Sequence, residues 1–418
     1  MTTTAHQIEP VAVAPKPTVG SHVRDYIGRV RGGDLGSLPA VAGLVVLCVF
    51  FAIMRPVFFS AGNFANLFTQ GAAITVIAMG LVFVLLLGEI DLSAGFASGV
   101  CAAVLAQLMA EQGAPWYVAT AAALATGLAI GFVLGFLVAK IGIPSFVVTL
   151  AAFLAFQGTV LLLIEGGTNV SVQDEVIVAI ENRNVAPVLS WVLAVLVVAG
   201  YAGTQLLSLR RRTARGLVTE PFAVVIARIV ALALILGGGV YVLNLERSIN
   251  PLITSLKGVP IVVPIIAVLL IVWTFVLRRT AYGRHIYAVG GNREAARRAG
   301  INVDKIRISV FVICSVMAAI GGIIAASKAR SVDPNTGGSN VLLYAVGAAV
   351  IGGTSLFGGK GRVLDAVLGG AVIAVIDNGM GLMGLTSGQR FVFTGFVLLL
   401  AAGVDALSRR RAAATGTR

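Results

Sequence analysis

The chain is poor in everything a soluble enzyme depends on. Only 12% of its 418 residues are charged, and it holds three histidines and three cysteines. Little charge beside 58% hydrophobic residues and a mean hydropathy of +0.96 excludes an ordinary soluble domain. Cys48, Cys101 and Cys314 each lie inside an apolar segment with no pairable spacing. They read as small buried hydrophobes, so redox chemistry and a disulfide scaffold are not indicated. His6, His22 and His285 lie outside the apolar segments, and no metal-ligand cluster or catalytic triad appears, which leaves an enzyme reading little support. The net charge of +13 does not point to nucleic acid, because Lys and Arg fall in short loops and tails between apolar runs.

What the chain does have is long apolar runs. A spanning helix needs about 20 apolar residues, and about twelve such segments begin near Pro39, Leu67, Leu92, Pro115, Ser145, Pro187, Phe222, Pro260, Ile306, Ser339, Val363 and Arg390. The expected fold is an all-α polytopic membrane protein of about 10–12 transmembrane helices. The range reflects two places. Leu67 to Leu87 runs directly into Gly88-Glu89-Ile90-Asp91, which would set carboxylates within the bilayer, and Pro187 to Tyr241 contributes two spans or lies partly at the surface.

Basic residues cluster in the N-terminal tail and at Arg210–Arg215, Arg278–Arg307, Lys360 with Arg362, and Arg409–Arg411. Placing all of them in the cytoplasm fits twelve crossings and leaves both termini inside. Residues 1–38 carry Pro10, Pro15, Pro17, Arg24, Arg29 and Arg31 and lack the apolar core of a cleavable signal peptide. They read as a disordered cytoplasmic tail before an uncleaved signal anchor. The transmembrane domain then covers 39–408 and a basic cytoplasmic tail 409–418. On the opposite face, the loop from Glu165 to Ala186 is acidic, with Asp174, Glu175 and Glu181 against Arg183. It reads either as a merely solvated loop or as a receiver for an external partner, and Val176–Ile180 could lie flat on the membrane.

The cytoplasmic loop 279–305 is the most informative stretch. It includes Gly283 and Arg284, and Asn292 can cap a short helix, with Glu294 in the first turn, Arg298 four residues beyond and Gly300 at the C-terminal end. Such a helix of about two turns does not hold its shape alone in water, so a soluble partner is expected to pack on it.

Two glycine-rich segments interrupt the apolar pattern. In Gly88-Glu89-Ile90-Asp91-Leu92-Ser93-Ala94-Gly95, Asp91 or Ser93 can cap the helix that begins near Ala94. The segment is either a helix break that satisfies its own amides or a break that lines a transport route or meets a cytoplasmic partner, since buried carboxylates are costly. The second segment, Gly352–Gly361, includes Gly353 and Gly359 and superficially resembles a phosphate loop. The spacing fails, because Thr354 stands where the first Gly belongs and Gly361 follows Lys360. Matches of Gly88 with Gly352, Leu92 with Leu356 and Gly95 with Gly359 suggest a parallel internal repeat, although glycine abundance alone also produces them.

Polar residues within the spans are sparse, and most are neutral. Asn63, Asn66, Gln70, Gln107, Gln157, Thr159, Asn340, Tyr344 and Asn378 suit an uncharged polyhydroxylated cargo or, taken singly, hydrogen-bonded helix packing. Asn66, Gln70, Gln157, Asn340, Tyr344 and Asn378 are the candidate translocation path. Asp365, Asp377 and Asp405 lie near expected helix ends, where capping or an interfacial location explains them without a proton relay.

In combination, Gly88–Gly95, Tyr282–Val303 and Gly352–Gly361 resemble the permease subunits of bacterial ABC importers for monosaccharides, the ribose, xylose and galactose branch. The Glu294-Ala295-Ala296 triplet with Gly300 looks like the loop by which such permeases engage their ATPase. Gly88-Glu89-Ile90-Asp91-Leu92-Ser93 resembles the family signature, with Glu89 departing from the Gly that many members carry there. The extra apolar stretch Phe222–Leu243, behind Arg210–Arg212, looks most like the xylose permeases. The resemblance implies an assembly of two permease chains, two cytoplasmic ATP-binding subunits and an extracytoplasmic sugar-binding protein in a bacterial inner membrane. ATP and Mg are then held by the ATPase, with no cofactor bound by this chain. Two other classes stand beside this one: an ion- or proton-coupled secondary transporter using Glu89 or Asp91, and a membrane scaffold without cargo.

Overall fold

Apolar runs in hydrocarbon must satisfy their own backbone N–H and C=O groups, and in this chain they do so as helices. The computed structural model describes residues 36–164, 167–217, 219–252 and 255–414, with Gly20, Arg24 and Gly28 ahead of them. Most of the expected tail 1–38, together with Glu165 and the last four residues, therefore lies outside the described residues.

The helices are α1 Leu38–Met54, α2 Ala61–Leu86, α3 Ala94–Ala110, α4 Trp116–Phe136 continued by a π-turn to Ile141, and α5 Ser145–Leu163. They continue as α6 Glu175–Asn182, α7 Pro187–Ala214, α8 Phe222–Leu243, α9 Val262–Arg279, α10 Ala281–Gly291 and α11 Arg293–Arg298. The last four are α12 Val303–Ala329, α13 Ser339–Ile351, α14 Val363–Leu382 and α15 Ser387–Ala414. Each of the twelve expected segments corresponds to a helix. Among the described residues eight helices, α2, α4, α5, α7, α8, α9, α12 and α14, are long and apolar enough to cross a membrane. Three apolar helices are shorter: α1 and α3 with 17 residues each, and α13 with 13. The protein is an all-α polytopic membrane protein, with α3 and α13 each joined to a break in the chain.

Boundaries differ from the hydropathy reading where polar residues continue a helix. Ser60 accepts from Asn63 N–H and starts α2 at Ala61, so Asn63 and Asn66 are helical. Helix α7 runs through Arg210–Arg212 to Ala214, so those arginines sit on a helix rather than in a turn. Helix α15 continues to Ala414, past the expected boundary at 408.

Helix α12 is the centre, packed by α2, α3 and α4, while α14 packs on α2 and α13. Glycines allow the closest of these approaches. Gly127, Gly131 and Gly135 form one stripe on α4, and a Cβ at Gly131 would stand 2.5 Å from Val312 Cα on α12. Helices α7 and α8 pack on each other at the rim and bury little of their apolar surface.

Among the described residues, four two-residue strands tie the loops together. β1 Val170–Ser171 pairs antiparallel with β4 Ser331–Val332, and β2 Asn184–Val185 with β3 Val259–Pro260. Helix α6, capped by Asp174, does not lie free on a surface: Ile177 is buried in the core and Glu181 N–H donates to Ser327 Oγ on α12. The apolar face of Val176–Ile180 thus meets protein, with Val176 left exposed.

The suggested repeat is not carried by the backbone. Gly88 is left-handed (φ 68°) where Gly352 is right-handed (φ −65°), and Gly95 is helical where Gly359 has φ 73°.

Candidate functional site

The basic segment after α9 is two helices rather than one. Thr280 Oγ1 accepts the Gly283 N–H and starts α10, while Ile286 and Val289 on one side of that helix are buried. The turn is tight: a Cβ on Gly283 would sit 2.2 Å from Leu277 O, so only glycine fits. Arg284 and His285 are exposed. Asn292 then breaks the chain (φ −158°) and accepts the Ala295 N–H at 2.9 Å, which begins the six-residue α11. Glu294 pairs with Arg298 at 3.3 Å along the helix, and Gly300 (φ 81°) ends it. Ala296 is buried, whereas Glu294, Ala295, Arg297 and Arg298 all face outward. The capping arrangement expected from Asn292, Glu294 and Gly300 is present. Ala296 packed below and an outward acid and two arginines give the element one fixed side and one free side.

Opposite this element α2 stops. Gly88 turns the chain, and Glu89, 5% exposed, lies under the basic segment. Its Oε1 accepts from Arg293 Nη2 at 2.7 Å and from Arg307 Nη2 and Nε at 2.7 and 3.0 Å. Arg293 Nη2 also donates to Leu87 O at 3.2 Å, one of the carbonyls freed where the helix ends. One carboxylate therefore joins the end of α2, the start of α11 and the second turn of α12.

Asp91 lies deeper. It is 1% exposed, and its Oδ1 accepts the Ser93 N–H at 2.8 Å and the Ser93 hydroxyl at 2.6 Å, while its side chain lies beside the Cys314 thiol. Cys314 is eleven residues past Val303, about 17 Å along α12 and close to the middle of that 27-residue helix. Of the two expected caps, Asp91 provides the side-chain bond and Ser93 occupies the N-cap position without making one. The freed backbone of Ile90 is met from α5, with its N–H on Ser145 Oγ (3.4 Å) and its C=O accepting from Thr149 Oγ1 (3.2 Å). Gly95, the second residue of α3, lies against Gly337 O, where a Cβ would stand at 2.7 Å.

The third motif closes on the same point. Gly359 N–H donates to Leu86 O at 2.8 Å, and Tyr287 on α10 donates to Gly361 O at 2.7 Å. Gly290 is wedged between them: a Cβ there would be 1.8 Å from Leu86 O and 3.0 Å from Gly359 N. Gly352 packs on Asp365 O, and Gly353 turns with φ 118°. Asp365 then opens α14, its Oδ2 accepting the Arg362 N–H at 2.8 Å and its Oδ1 the Arg362 guanidinium at 2.8 Å. The three motifs, far apart in the sequence, meet backbone to backbone.

The candidate path residues divide. Asn378 on α14 exchanges two hydrogen bonds with Asn63 (2.8 and 2.9 Å) and donates to Gln70 Oε1 at 3.1 Å. Tyr344 bonds to the buried Thr394 side chain beside Asp377 and Arg390, which are 3.8 Å apart. Lys328 stands between Asp377 and Glu181. Gln157 is not part of this group: it is exposed on α5, a helix that packs against α3. Asn66, between Asn63 and Gln70 on α2, and Asn340, one turn before Tyr344 on α13, are exposed. Residue type alone did not reveal Arg293, Arg307, Tyr287 or Gly290 as members of these clusters. A carboxylate at a span end signals a needed cation, but it does not say which of many arginines supplies it.

A bundle of membrane-length helices, broken at glycine-rich segments and fastened to an externally presented basic helix pair, defines a transport permease. Residues 63–402 match the family described as branched-chain amino acid transport system / permease component, and the chain belongs to that family. It is similar to the xylose transport system permease protein XylH of Escherichia coli K12, 36% identical over 373 residues that cover 89% of this chain and 92% of the relative. It is also similar to XylH of Haemophilus influenzae, at 33% identity over 88% of this chain and 95% of the relative. The ribose import permease protein RbsC of Haemophilus influenzae is 27% identical over 87% of this chain and 90% of its own length. No solved structure matches the chain.

Proposed function

We propose that the chain is the membrane-spanning subunit of an ATP-driven importer of monosaccharides, with xylose as its cargo. The xylose permeases aligned over nine-tenths of their length support the cargo, and the ribose permease supports the wider sugar class. The basic residues of 278–307 set that face in the cytoplasm of a bacterial inner membrane, with both termini on the same side.

In this reading two copies of the chain meet two ATP-binding subunits at the outward face of α11, around Glu294, Ala295 and Arg298. ATP and Mg are held by those subunits. The observation that carries the mechanism is the Glu89 carboxylate shared by Arg293 and Arg307. A push on α11 moves Arg293, and through Glu89 it reaches both the end of α2 and the start of α12. The Leu86–Gly359 and Tyr287–Gly361 bonds carry the same displacement to α14. Gln70, half-buried and held through its Oε1 by the Asn63–Asn378 pair, offers hydrogen bonds to hydroxyl groups of a neutral sugar that an external binding protein delivers on the side of α6. Two arginines already claim Glu89, which suits a mechanical tie better than proton transfer.

The test is uptake of labelled xylose into proteoliposomes with the binding protein outside and ATP enclosed with the ATPase. Uptake that requires ATPase and ATP, and that excess unlabelled xylose competes away, is the expected result. Uptake by this chain alone, abolished by collapsing an ion gradient, would replace the importer with a secondary transporter.

A further inference from the structure

A cleft of about 540 Å³ opens where α7 and α9 end. Arg211 and Arg212 from the last turn of α7, Arg215 just beyond it, and Arg279 at the end of α9 line it. Among the described residues no acidic side chain pairs with any of these four. Helix C-termini carry a partial negative charge that offsets about half an elementary charge each, well short of four guanidiniums. All four guanidiniums are exposed, so the cleft presents an unneutralised positive surface to an anion.

Its position specifies which anion. The arginines stand at the ends of two spanning helices, which is headgroup depth. Leu207 and Phe275, about one turn back along α7 and α9, supply apolar walls toward the hydrocarbon. A free phosphate or nucleotide has no use for those walls. Helix α7 buries almost none of its apolar surface against the protein, so the cleft is open to the bilayer from the side. We propose that this cleft binds one anionic phospholipid, its phosphodiester held by Arg211, Arg212, Arg215 and Arg279 and its acyl chains laid along Leu207 and Phe275. Arg279 precedes Thr280, the cap of α10, so the bound lipid braces the root of the basic helix pair.

The full chain, purified in detergent and stripped of lipid, is titrated with phosphatidylglycerol, with phosphatidylcholine and with inorganic phosphate while its thermal midpoint is followed. Phosphatidylglycerol is expected to raise the midpoint by about 3 °C or more, the other two by little. Arg211→Gln with Arg279→Gln is expected to remove that shift, and Arg211→Lys with Arg279→Lys to keep most of it. Equal shifts with both lipids, an equal shift with inorganic phosphate, or an undiminished shift in the glutamine variant would overturn the site. If the glutamine variant fails to fold, native mass spectrometry of the unmodified chain in an equimolar lipid mixture decides. Retained phosphatidylglycerol supports the cleft, and adducts in the proportions of the mixture refute it.

Discussion

At the scale of single residues, Glu89 is the carboxylate that joins the most elements. A carboxylate 5% exposed is tolerated because two guanidiniums meet one of its oxygens. Removing Glu89 strands Arg307, whose side chain is 14% exposed, while Arg293, 45% exposed, can turn to water; loss of the buried Glu89–Arg307 pair costs about 3 kcal/mol. Glu89→Gln and Arg307→Gln are each expected to lower the thermal midpoint, and the double variant to be clearly more stable than the sum of the two losses. Simple additivity would show the pair to be energetically idle. Glu181 is a second case. Burial pushes its carboxyl from an ordinary 4.5 up to about 8, with the Lys328 ammonium pulling the other way. A folded state that holds this proton more tightly than the unfolded chain is favoured below about pH 4.5 and loses the advantage as pH rises to about 8. The midpoint of the unmodified chain relative to Glu181→Gln should therefore fall between those values and level off above them. A difference independent of pH would refute it. Neither partnership was legible in the sequence, because Glu89 and Arg307 are 218 positions apart and spacing carries no information at that range.

At the scale of elements, the basic helix pair was half readable. Asn292, Glu294 and Gly300 mark α11 because caps are local chemistry. Helix α10 was hidden inside the same loop: its start depends on the Thr280 hydroxyl, and its inward side on burial of Ile286 and Val289. The two short broken-region helices were visible as places where apolar runs meet glycine and carboxylate. Their depth was not, since it follows from Asp91 lying beside the middle of α12. Gln157 lies apart from the Asn63–Gln70–Asn378 cluster, a separation that residue type does not disclose. The contact between motifs gives a sharp prediction with an internal control. Gly290→Ala sets a Cβ against the Leu86 carbonyl, whereas Gly291→Ala meets nothing within 4 Å. Gly290→Ala should reduce xylose uptake by about tenfold or more and Gly291→Ala by little, at equal amounts in the membrane. Equal activity of the two would mean that the motifs need not touch.

At the scale of the whole molecule, hydropathy disclosed the architecture because the bilayer imposes one length and one polarity on every span. All twelve segments found that way are helices, and what remained hidden was which of them pack on which. The central place of α12 rests on glycine stripes such as Gly127–Gly131–Gly135, legible as a spacing but silent about the partner. The packing places the proposed ATPase contact, the Glu89 tie and the break above Asp91 along the first half of one helix. Glu294→Ala with Arg298→Ala removes the outward contact and should abolish stimulation of the ATPase while leaving membrane insertion intact. Unchanged uptake would move the contact elsewhere. The tie itself is tested most directly by the number of xylose molecules imported per ATP hydrolysed in the reconstituted assembly, compared between the unmodified chain and Glu89→Gln at equal incorporation. A ratio lowered about tenfold with hydrolysis retained is the expected result. An unchanged ratio would contradict transmission through Glu89.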